Sequence, residues 1–444
     1  MQIPKEAERA ISLLEQKGHE AFVVGGCVRD SLLGRAPNDW DVTTSALPDE
    51  VAECFSDFRL VETGRRHGTL TVLVDGMPLE ITTYRNDGVY LDHRHPVEVT
   101  FSKTLDEDLA RRDFTVNAMA YHPRRGIVDL FGGREDLAAR RIRCVGDPVT
   151  RFREDGLRIL RALRFAAVLG FSLESETAKA VHAERSLLSF IAPERIREEF
   201  CKLICGVNAP AILREFSDVI GEFLPELAAC VGFAQNSKYH CYDVFEHTLV
   251  ALSHARRDLP VRLAVLLHDV GKPLCYTEDE EGGHFKGHGP VGTELTERIL
   301  RRLRFDRKTA ETVTKLVERH DHITPAEEKE VKRLMQKLSD EEILALVEVQ
   351  RCDRLAHAKG YDEPPTSLAE LPLLVKRIRE KDACLSLKTL AVSGDDLLSL
   401  GYPEGREIGR TLSALLDAVL DERLPNDRDA LLAEARLIIR GDAD

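Results

Sequence analysis

An α+β head followed by a long all-helical body is the fold class this sequence predicts, and three observations predict it. β-rich runs are confined to roughly the first 145 residues. From about residue 150 to the end, Leu, Ala, Glu and Arg recur at helical spacing. The breaks in that second stretch, at 206–210, 282–283, 364–365 and 401–405, are Gly and Pro punctuation with no return of strand-like alternation.

In the head, residues 4–17 read as an amphipathic helix stopped by Gly18. Ala21 to Val24 is a short apolar strand before Gly25-Gly26, and a helix is expected over Ser31 to Leu33. Thr69 to Val74 and Leu79 to Thr83 are strands joined by Asp75-Gly76, a strong hairpin signal. Val97 to Phe101 and Ala118 to Tyr121 complete the strand set. No repeat and no low-complexity tract occurs.

Composition narrows the function classes. At 444 residues with 43% hydrophobic and 31% charged residues, the chain can bury several cores, so disorder is not its main state. Its longest apolar runs, such as 263–267, fall far short of the ~20 residues that span a membrane. The first twenty residues mix acids and bases and do not read as a signal peptide. Ten scattered cysteines with no C-x-x-C pair favour reduced thiols in a cytoplasm. Aromatics at 6% argue against a single-strand binder built on stacked bases.

The net charge of −14 hides a local reversal. Between Arg111 and Arg164 there are thirteen arginines against seven acids and no lysine. Arginine suits bidentate contact with phosphate or base edges, although a salt-bridged surface explains such a tract equally well.

Two short constellations carry chemistry. Gly25-Gly26 lies between a strand and a helix, where backbone amides can approach a phosphate; taken alone it also fits a plain turn. Asp39-x-Asp41 lies thirteen residues beyond Gly26. In a strand the two carboxylates project from one face, repel, and call for a cation such as Mg²⁺. Glu80, inside an apolar strand, is either a third site carboxylate or an edge-strand charge.

Taken together these residues resemble the class II tRNA nucleotidyltransferase and bacterial poly(A) polymerase family of the polymerase-β superfamily. The likeness runs over residues 21–200: Gly25-Gly26-x-Val28-Arg29-Asp30, Asp39-x-Asp41, Gly64-x-x-His67-Gly68-Thr69, the stretch Leu105 to Ala118, Asp129-x-x-Gly132-Gly133, Glu154-Asp155-x-x-Arg158-x-x-Arg161-x-x-Arg164, and Pro193-Glu194-Arg195-Ile196-x-x-Glu199. The resemblance implies a polymerase-β-like head over 1–145, a neck with a base-reading helix over 146–215, a helical body over 216–365 and a tRNA-binding tail over 366–444. It implies two Mg²⁺ ions on Asp39 and Asp41, with Glu80 as a further catalytic acid. Gly25, Gly26, Arg29, Arg112, Asp113 and Asn117 would hold triphosphate and ribose.

Asp155, Arg158, Arg161 and Arg164, at a spacing of three, would line one helical side. Asp155 and Arg158 would read the base, and Arg161 and Arg164 would read it or brace the helix. An Asp acceptor selects the amino bases C and A together, so the protein itself would be the template. The segment Arg85 to Asp108, which the family needs to add a terminal A, is intact. CCA addition to tRNA from CTP and ATP is therefore the leading reading. Poly(A) or A-only addition is the runner-up.

The body carries a second constellation. His247, His268-Asp269, His288, His320 and Asp353 follow the order of an HD phosphohydrolase domain. Such donors suit Mn²⁺, Ni²⁺, Fe or Mg²⁺, with no cysteine nearby to favour zinc. A metal-dependent phosphohydrolase, alone or beside the head's activity, and a purely structural helical body both remain open on these residues. In the tail, Ser393-Gly394-x-Asp396-Leu397 and Gly405-x-x-Ile408-Gly409 resemble the part of the family that meets the tRNA elbow.

Overall fold

Nine of the eleven strands described in the first unit build the head in the computed structural model, which describes residues 1–87, 99–280, 282–381 and 384–441. The strands are β1 (Ala21–Val24), β2 (Asp41–Thr44), β3 (Arg59–Val61), β4 (Thr69–Val74), β5 (Met77–Thr83), β6 (Arg85–Asp87), β7 (Val99–Phe101), β8 (Met119–His122) and β9 (Gly126–Asp129). Seven of them form one mixed sheet in the order β3-β4-β5-β2-β1-β8-β9, and β6 pairs with β7 alone. The β2–β5 pairing is parallel and sets Asp41 opposite Glu80. β5 lies inside the sheet, so Glu80 is not an edge-strand charge. The β4–β5 hairpin turns at Asp75-Gly76 as expected, with φ of 49° and 91°.

The helix Lys5–Gln16 buries Ala7, Ala10, Ile11 and Leu14, the face its spacing predicts. Three local expectations are corrected. The helix after the glycine pair begins at Gly26 and ends at Leu32, earlier than Ser31 to Leu33. Asp39 lies in the loop ahead of β2, not in the strand with Asp41. Asp155 joins the helices Pro148–Glu154 and Leu157–Leu169 in an extended conformation, so it does not share a helical side with the three arginines. Within the segment Arg85 to Asp108, residues 88–98 lie outside the described residues, as do 442–444.

By Cα proximity the chain forms two compact units, residues 1–228 with 302–305, and 229–301 with 306–444. In the first, the helix Leu157–Leu169 is buried on nearly every side and packs on the helix Pro193–Ile204. The second is helical, except for a small hairpin that pairs Thr277–Asp279 with Gly282–His284. Gly282-Gly283 is thus strand, not a break. No helix among the described residues is long and apolar enough to cross a membrane.

Five elements of the second unit bring the HD residues together. His247 sits in the helix Val244–His254, and His268 ends the helix Leu259–Leu267, whose residues from Val261 onward are all buried. His288 opens the helix His288–Arg302, His320 ends the helix Arg307–Arg319, and Asp353 sits in the helix Asp340–Leu355. The loop after Asp269 is pressed against the helix that His288 opens. A Cβ on Gly271 would lie 2.4 Å from the His288 carbonyl oxygen and 2.7 Å from the Gly292 nitrogen, both backbone atoms. Gly271→Ala should therefore destabilise the second unit by about 1–3 kcal/mol. A lowered urea midpoint for that unit is the expected result, and an unchanged midpoint would show that the contact relaxes freely.

Candidate active site

At the C-terminal side of the glycine turn three carboxylates converge. Asp41 opens β2, Glu80 is its register partner on β5, and Asp39 stands two residues ahead. Burial pushes the Asp41 carboxyl up to about 6; the negative charges of Asp39 and Glu80 add to that rise and Arg112 opposes it. Like charges held near one another repel and favour a hard divalent cation, although their oxygens do not close into a ligating triad as those of the second unit do. The structure thus brings together the acids the sequence singled out, with Asp39 reaching them from a loop.

The cations stand beside them. Gly25 has φ of +81°, and a Cβ there would lie 3.0 Å from Arg112 Nη1, so the bare turn is what admits that guanidinium. Arg112 Nε is buried with no hydrogen-bond partner. Its Nη2 donates to Asp108 Oδ2 at 3.3 Å. Asp108 is fully buried and also accepts from Arg111 and Thr43. Burial raises its pKa, but Arg112 and Arg111 outweigh that and hold the carboxyl below its usual range. Asp108 was no candidate on sequence grounds. Its position between Glu107 and Leu109, next to the arginine pair, was the available signal.

Arg29 makes a bidentate pair with Asp30 at 2.8 and 2.9 Å and donates to Asn117 Oδ1 at 2.6 Å. Asn117 Nδ2 donates to Asp113 Oδ1 at 3.1 Å, and Arg161 donates twice to Asp113 Oδ2 at 2.9 and 2.7 Å. Burial would raise the Asp113 carboxyl, but Arg161, Asn117 and Arg158 lower it to about 2. Arg164 continues the chain by donating to Glu199 at 2.5 Å. Around the Phe165 ring lie Arg164, Arg29 and Arg161, at 3.7, 5.1 and 5.4 Å from its centroid. Each of the three guanidiniums on this ring is also paired with a carboxylate: Arg29 with Asp30, Arg161 with Asp113 and Arg164 with Glu199.

The residues expected to read a base are engaged locally. Asp155 Oδ1 accepts from the Leu157 amide at 3.0 Å, and its other oxygen lies 3.5 Å from Arg195 Nη2. Arg158, 8% exposed, donates to Glu154 Oε2 at 2.6 Å and to the carbonyls of Arg151 and Arg111. Arg161 and Arg164 serve as braces, through Asp113 and Glu199. The wider arginine tract is largely spent in the same way: Arg125 pairs with Glu20, Arg143 with Asp136 and Arg153 with Glu184. Most of its excess charge is cancelled by acids from distant segments. The tail residues are engaged too, since Ser393 and Asp396 form a capping box on the helix Gly394–Ser399.

In the second unit six ligand candidates meet, and four of them, Asp269, His288, His320 and Asp353, line a cavity of about 780 Å³. His247, His268 and Asp353 form one ligating triad; Asp269, His288 and His320 form another. Each imidazole turns its Nδ1 to a backbone carbonyl: His247 to Ala356 at 3.2 Å, His268 to Val265 at 2.7 Å, His288 to Phe285 at 2.9 Å and His320 to Val317 at 2.7 Å. That fixes the tautomer and aims all four Nε2 atoms inward. Burial lowers the His268 imidazole, but Asp269 and Asp353 overcome it and lift it to about 10. His268 and Lys272, against the cost of burial, hold Asp269 well below the usual carboxylate range. Lys272 and His240 belong to the sequence stretches that resemble the HD domain but were not ligand candidates, and Gln235 carried no sequence signal. Lys272 Nζ lies 2.7 Å from Asp269 and 2.8 Å from Gln235 Oε1.

Residues 21–143 match the family model of the poly A polymerase head domain. Residues 170–230 match that of a probable RNA and SrmB-binding site of polymerase A, and 291–435 that of a putative tRNA nucleotidyltransferase domain 2. A CCA-adding enzyme of Lactobacillus helveticus is 35% identical over 430 residues, covering 96% of this chain and 95% of that protein. One of Levilactobacillus brevis is 34% identical over 440 residues, covering 97% and 98%. Among solved structures, the Bacillus stearothermophilus CCA-adding enzyme in complex with CTP superposes with a TM-score of 0.77 at 30% identity, covering 100% of this chain and 99% of that one.

Asp113 gives a stability test. Its carboxyl is lowered from 3.8 to about 2 in the fold, so its contribution is present above pH 4 and is lost as pH falls towards 2. Asp113→Asn should cost roughly 2 kcal/mol at pH 7 in the first unit, at about 1.4 kcal/mol per pKa unit. That deficit should shrink at pH 3, measured by urea midpoints against the parent chain. A deficit independent of pH would show that the carboxylate is not the stabilising species.

Proposed function

The chain belongs to the CCA-adding enzymes, a family of tRNA nucleotidyltransferases, and from that premise we propose that it adds C, C and A to the 3′ end of tRNA from CTP and ATP without a nucleic-acid template. Family membership favours this over poly(A) or A-only synthesis. The observation that carries the site assignment is the carboxylate set Asp39, Asp41 and Glu80 beside the guanidiniums of Arg112 and Arg29. In the reaction the tRNA 3′-oxygen bonds to the α-phosphorus of the nucleotide, the bond to the β-phosphate bridge breaks, and pyrophosphate leaves.

Asp39 and Asp41 would hold Mg²⁺, with Glu80 beside Asp41 on the neighbouring strand; the metal would supply Lewis acidity and neutralise triphosphate charge. Arg112, with its unpartnered Nε, and the Gly25-Gly26 turn receive phosphate oxygens. Arg29 reaches the same anion from its pair with Asp30. Asp113 and Asn117, already fully engaged with Arg161 and Arg29, position those cations around the nucleotide. Asp155 accepts from the exocyclic amino group of C or A, and Arg158 donates to the ring once it exchanges Glu154 for the base. The tRNA lies on the helical part of the chain, and the ten free thiols support a setting in the reducing cytoplasm.

A second activity is favoured by the four anchored imidazoles. We infer that His247, His268, Asp269, His288, His320 and Asp353 hold a divalent metal, Mn²⁺, Ni²⁺ or Mg²⁺, and that this HD centre is a phosphohydrolase.

Purified chain incubated with tRNA ending at the discriminator base and each labelled NTP tests the main reading. Incorporation of C, then a single A only when CTP is present, is expected; long A tails without CTP would replace it with poly(A) synthesis. Asp39→Ala or Asp41→Ala should reduce addition to below a few per cent while tRNA still binds in a filter assay, because RNA affinity rests on other contacts. Asp155→Ala should raise kcat/KM for UTP and GTP relative to CTP and ATP by about tenfold or more, the equivalent of roughly 1–3 kcal/mol of lost discrimination. An unchanged ratio would place base selection on other residues.

A further inference from the structure

The guanidinium nearest the acids of the head does not hold its own place. Arg112 lies past the helix Leu105–Ala110, outside any helix or strand, next to the like-charged Arg111. A long cationic side chain in such a place has many rotamers, and neighbouring acids draw it towards themselves. Its ion-pair partner is Asp108, whose carboxylate is fully buried and divides its two oxygens. Oδ1 accepts from Arg111 Nε and Nη2 at 2.9 and 2.6 Å. Oδ2 accepts from Arg112 Nη2 at 3.3 Å and from the Thr43 hydroxyl at 3.0 Å. Thr43 stands two residues beyond Asp41 on β2, hence on the same face of the strand. One carboxylate oxygen therefore ties Arg112 to the strand that carries the acid. The rest of the guanidinium is left over. Nη1 faces the glycine turn, where a Cβ on Gly25 would lie 3.0 Å from it, and Nε is buried with no hydrogen-bond partner. A buried donor of this kind costs free energy until an acceptor arrives. The charges lead to the same place. Asp108 neutralises one of its two arginines and leaves a single positive charge beside Asp39, Asp41 and Glu80.

We propose that Asp108 is a positioning residue for the incoming nucleotide: by holding Arg112 at Nη2 it keeps the guanidinium off the acids that take Mg²⁺ and leaves Nε and Nη1 to phosphate oxygens. The proposal rests on the reading that Arg112 receives those oxygens, and deepens it. Without the clamp, acids and phosphates compete for one arginine. Paired with Asp41, Arg112 would take the charge that a hard cation needs and withdraw the donors that a triphosphate needs. A carboxylate suits the clamp where an amide does not. It accepts from both arginines and from Thr43 at once, and its charge competes with that of Asp41 for the guanidinium. Asp108 acts on the nucleotide through Arg112 alone.

Asp108→Asn in the full chain keeps the shape of the side chain and removes its charge. Addition of the first C to tRNA ending at the discriminator base is measured against CTP and against tRNA. Binding of tripolyphosphate, which carries the phosphates without base or ribose, is measured by calorimetry in Mg²⁺. The KM for CTP and the Kd for tripolyphosphate should each rise roughly tenfold or more, the loss of a charge-assisted hydrogen bond, while the KM for tRNA stays unchanged. A residue that only stabilised the fold would not separate the two substrates. Arg112→Met and the double variant complete the cycle. The double variant should be no weaker than Arg112→Met, because with the guanidinium gone Asp108 has nothing to place. Effects that multiply overturn the positioning role. Arg112→Met impaired with Asp108→Asn unimpaired also overturns it, and leaves the phosphate reading of Arg112 standing. An unimpaired Arg112→Met overturns that reading itself. Should Asp108→Asn fail to fold by circular dichroism, Thr43→Val loosens the same oxygen without altering charge and gives the comparison. A KM for CTP raised about threefold in the parent and unaltered on an Arg112→Met background supports the clamp, and an unaltered KM in the parent overturns it.

Discussion

Asp113 is the residue on which the nucleotide side of the head depends. Its two carboxylate oxygens accept from the Phe114 amide, from Asn117 and twice from Arg161. Through Asn117 it reaches Arg29 on the glycine-turn helix; through Arg161 it reaches Glu199 and Arg164 on the neck helices. Three arginines are thereby held around the Phe165 ring despite their mutual repulsion. A buried carboxylate with fewer partners would cost several kcal/mol in desolvation. The pairing offsets much of that cost, and it fixes the positions of three cations in advance.

Fixed placement also organises the two clusters of candidate metal ligands. On the sheet, the parallel β2–β5 register forces Asp41 against Glu80, and a loop adds Asp39. In the second unit, backbone carbonyls hold four imidazoles so that their Nε2 atoms face one another. On the sheet the scaffold holds like charges near one another, which a cation would relieve, and in the second unit it gathers imidazoles and carboxylates of opposite charge. Charge elsewhere in the chain is mostly cancelled pairwise, so these clusters stand out against a neutralised background. Arg112 links the two halves of the head. It lowers Asp41 from one side and, with Arg111, is tied to Asp108 from the other.

Much of this was legible in the sequence, and the parts that were not share a physical reason. The β4–β5 hairpin, the glycine turn, the acids and the order of the HD residues are local signals, each carried by a few neighbouring positions. The arginine tract was ambiguous because its partners lie far off in sequence, Glu20 and Glu184 among them. Periodicity set Asp155 on a helical side with Arg158, but Gly156 interrupts the helix and leaves Asp155 extended at the junction. The meeting of Asp41 with Glu80 rests on a strand register, and the division of six ligands into two triads on five packed elements. Neither is written in any single segment.

If Asp155 and Arg158 read the base as proposed above, their hydrogen bonds bear on how C and A would be chosen. Arg158 is held by Glu154 and by two carbonyls, and Asp155 is spent on the Leu157 amide and Arg195. Neither side chain is a free probe. A base must displace Glu154 from Arg158, and it does so favourably only if it returns an equivalent set of hydrogen bonds. C and A each bring an amino donor for Asp155 and a ring acceptor for Arg158. U and G bring a carbonyl opposite the carboxylate and leave it facing a like dipole. On that proposal discrimination would come from the cost of unmaking a satisfied network for an ill-matched partner, not only from the strength of the hydrogen bonds made to a matched one. A protein can act as a template in this way because the network it sacrifices is the same for every nucleotide, so the incoming base alone decides the balance.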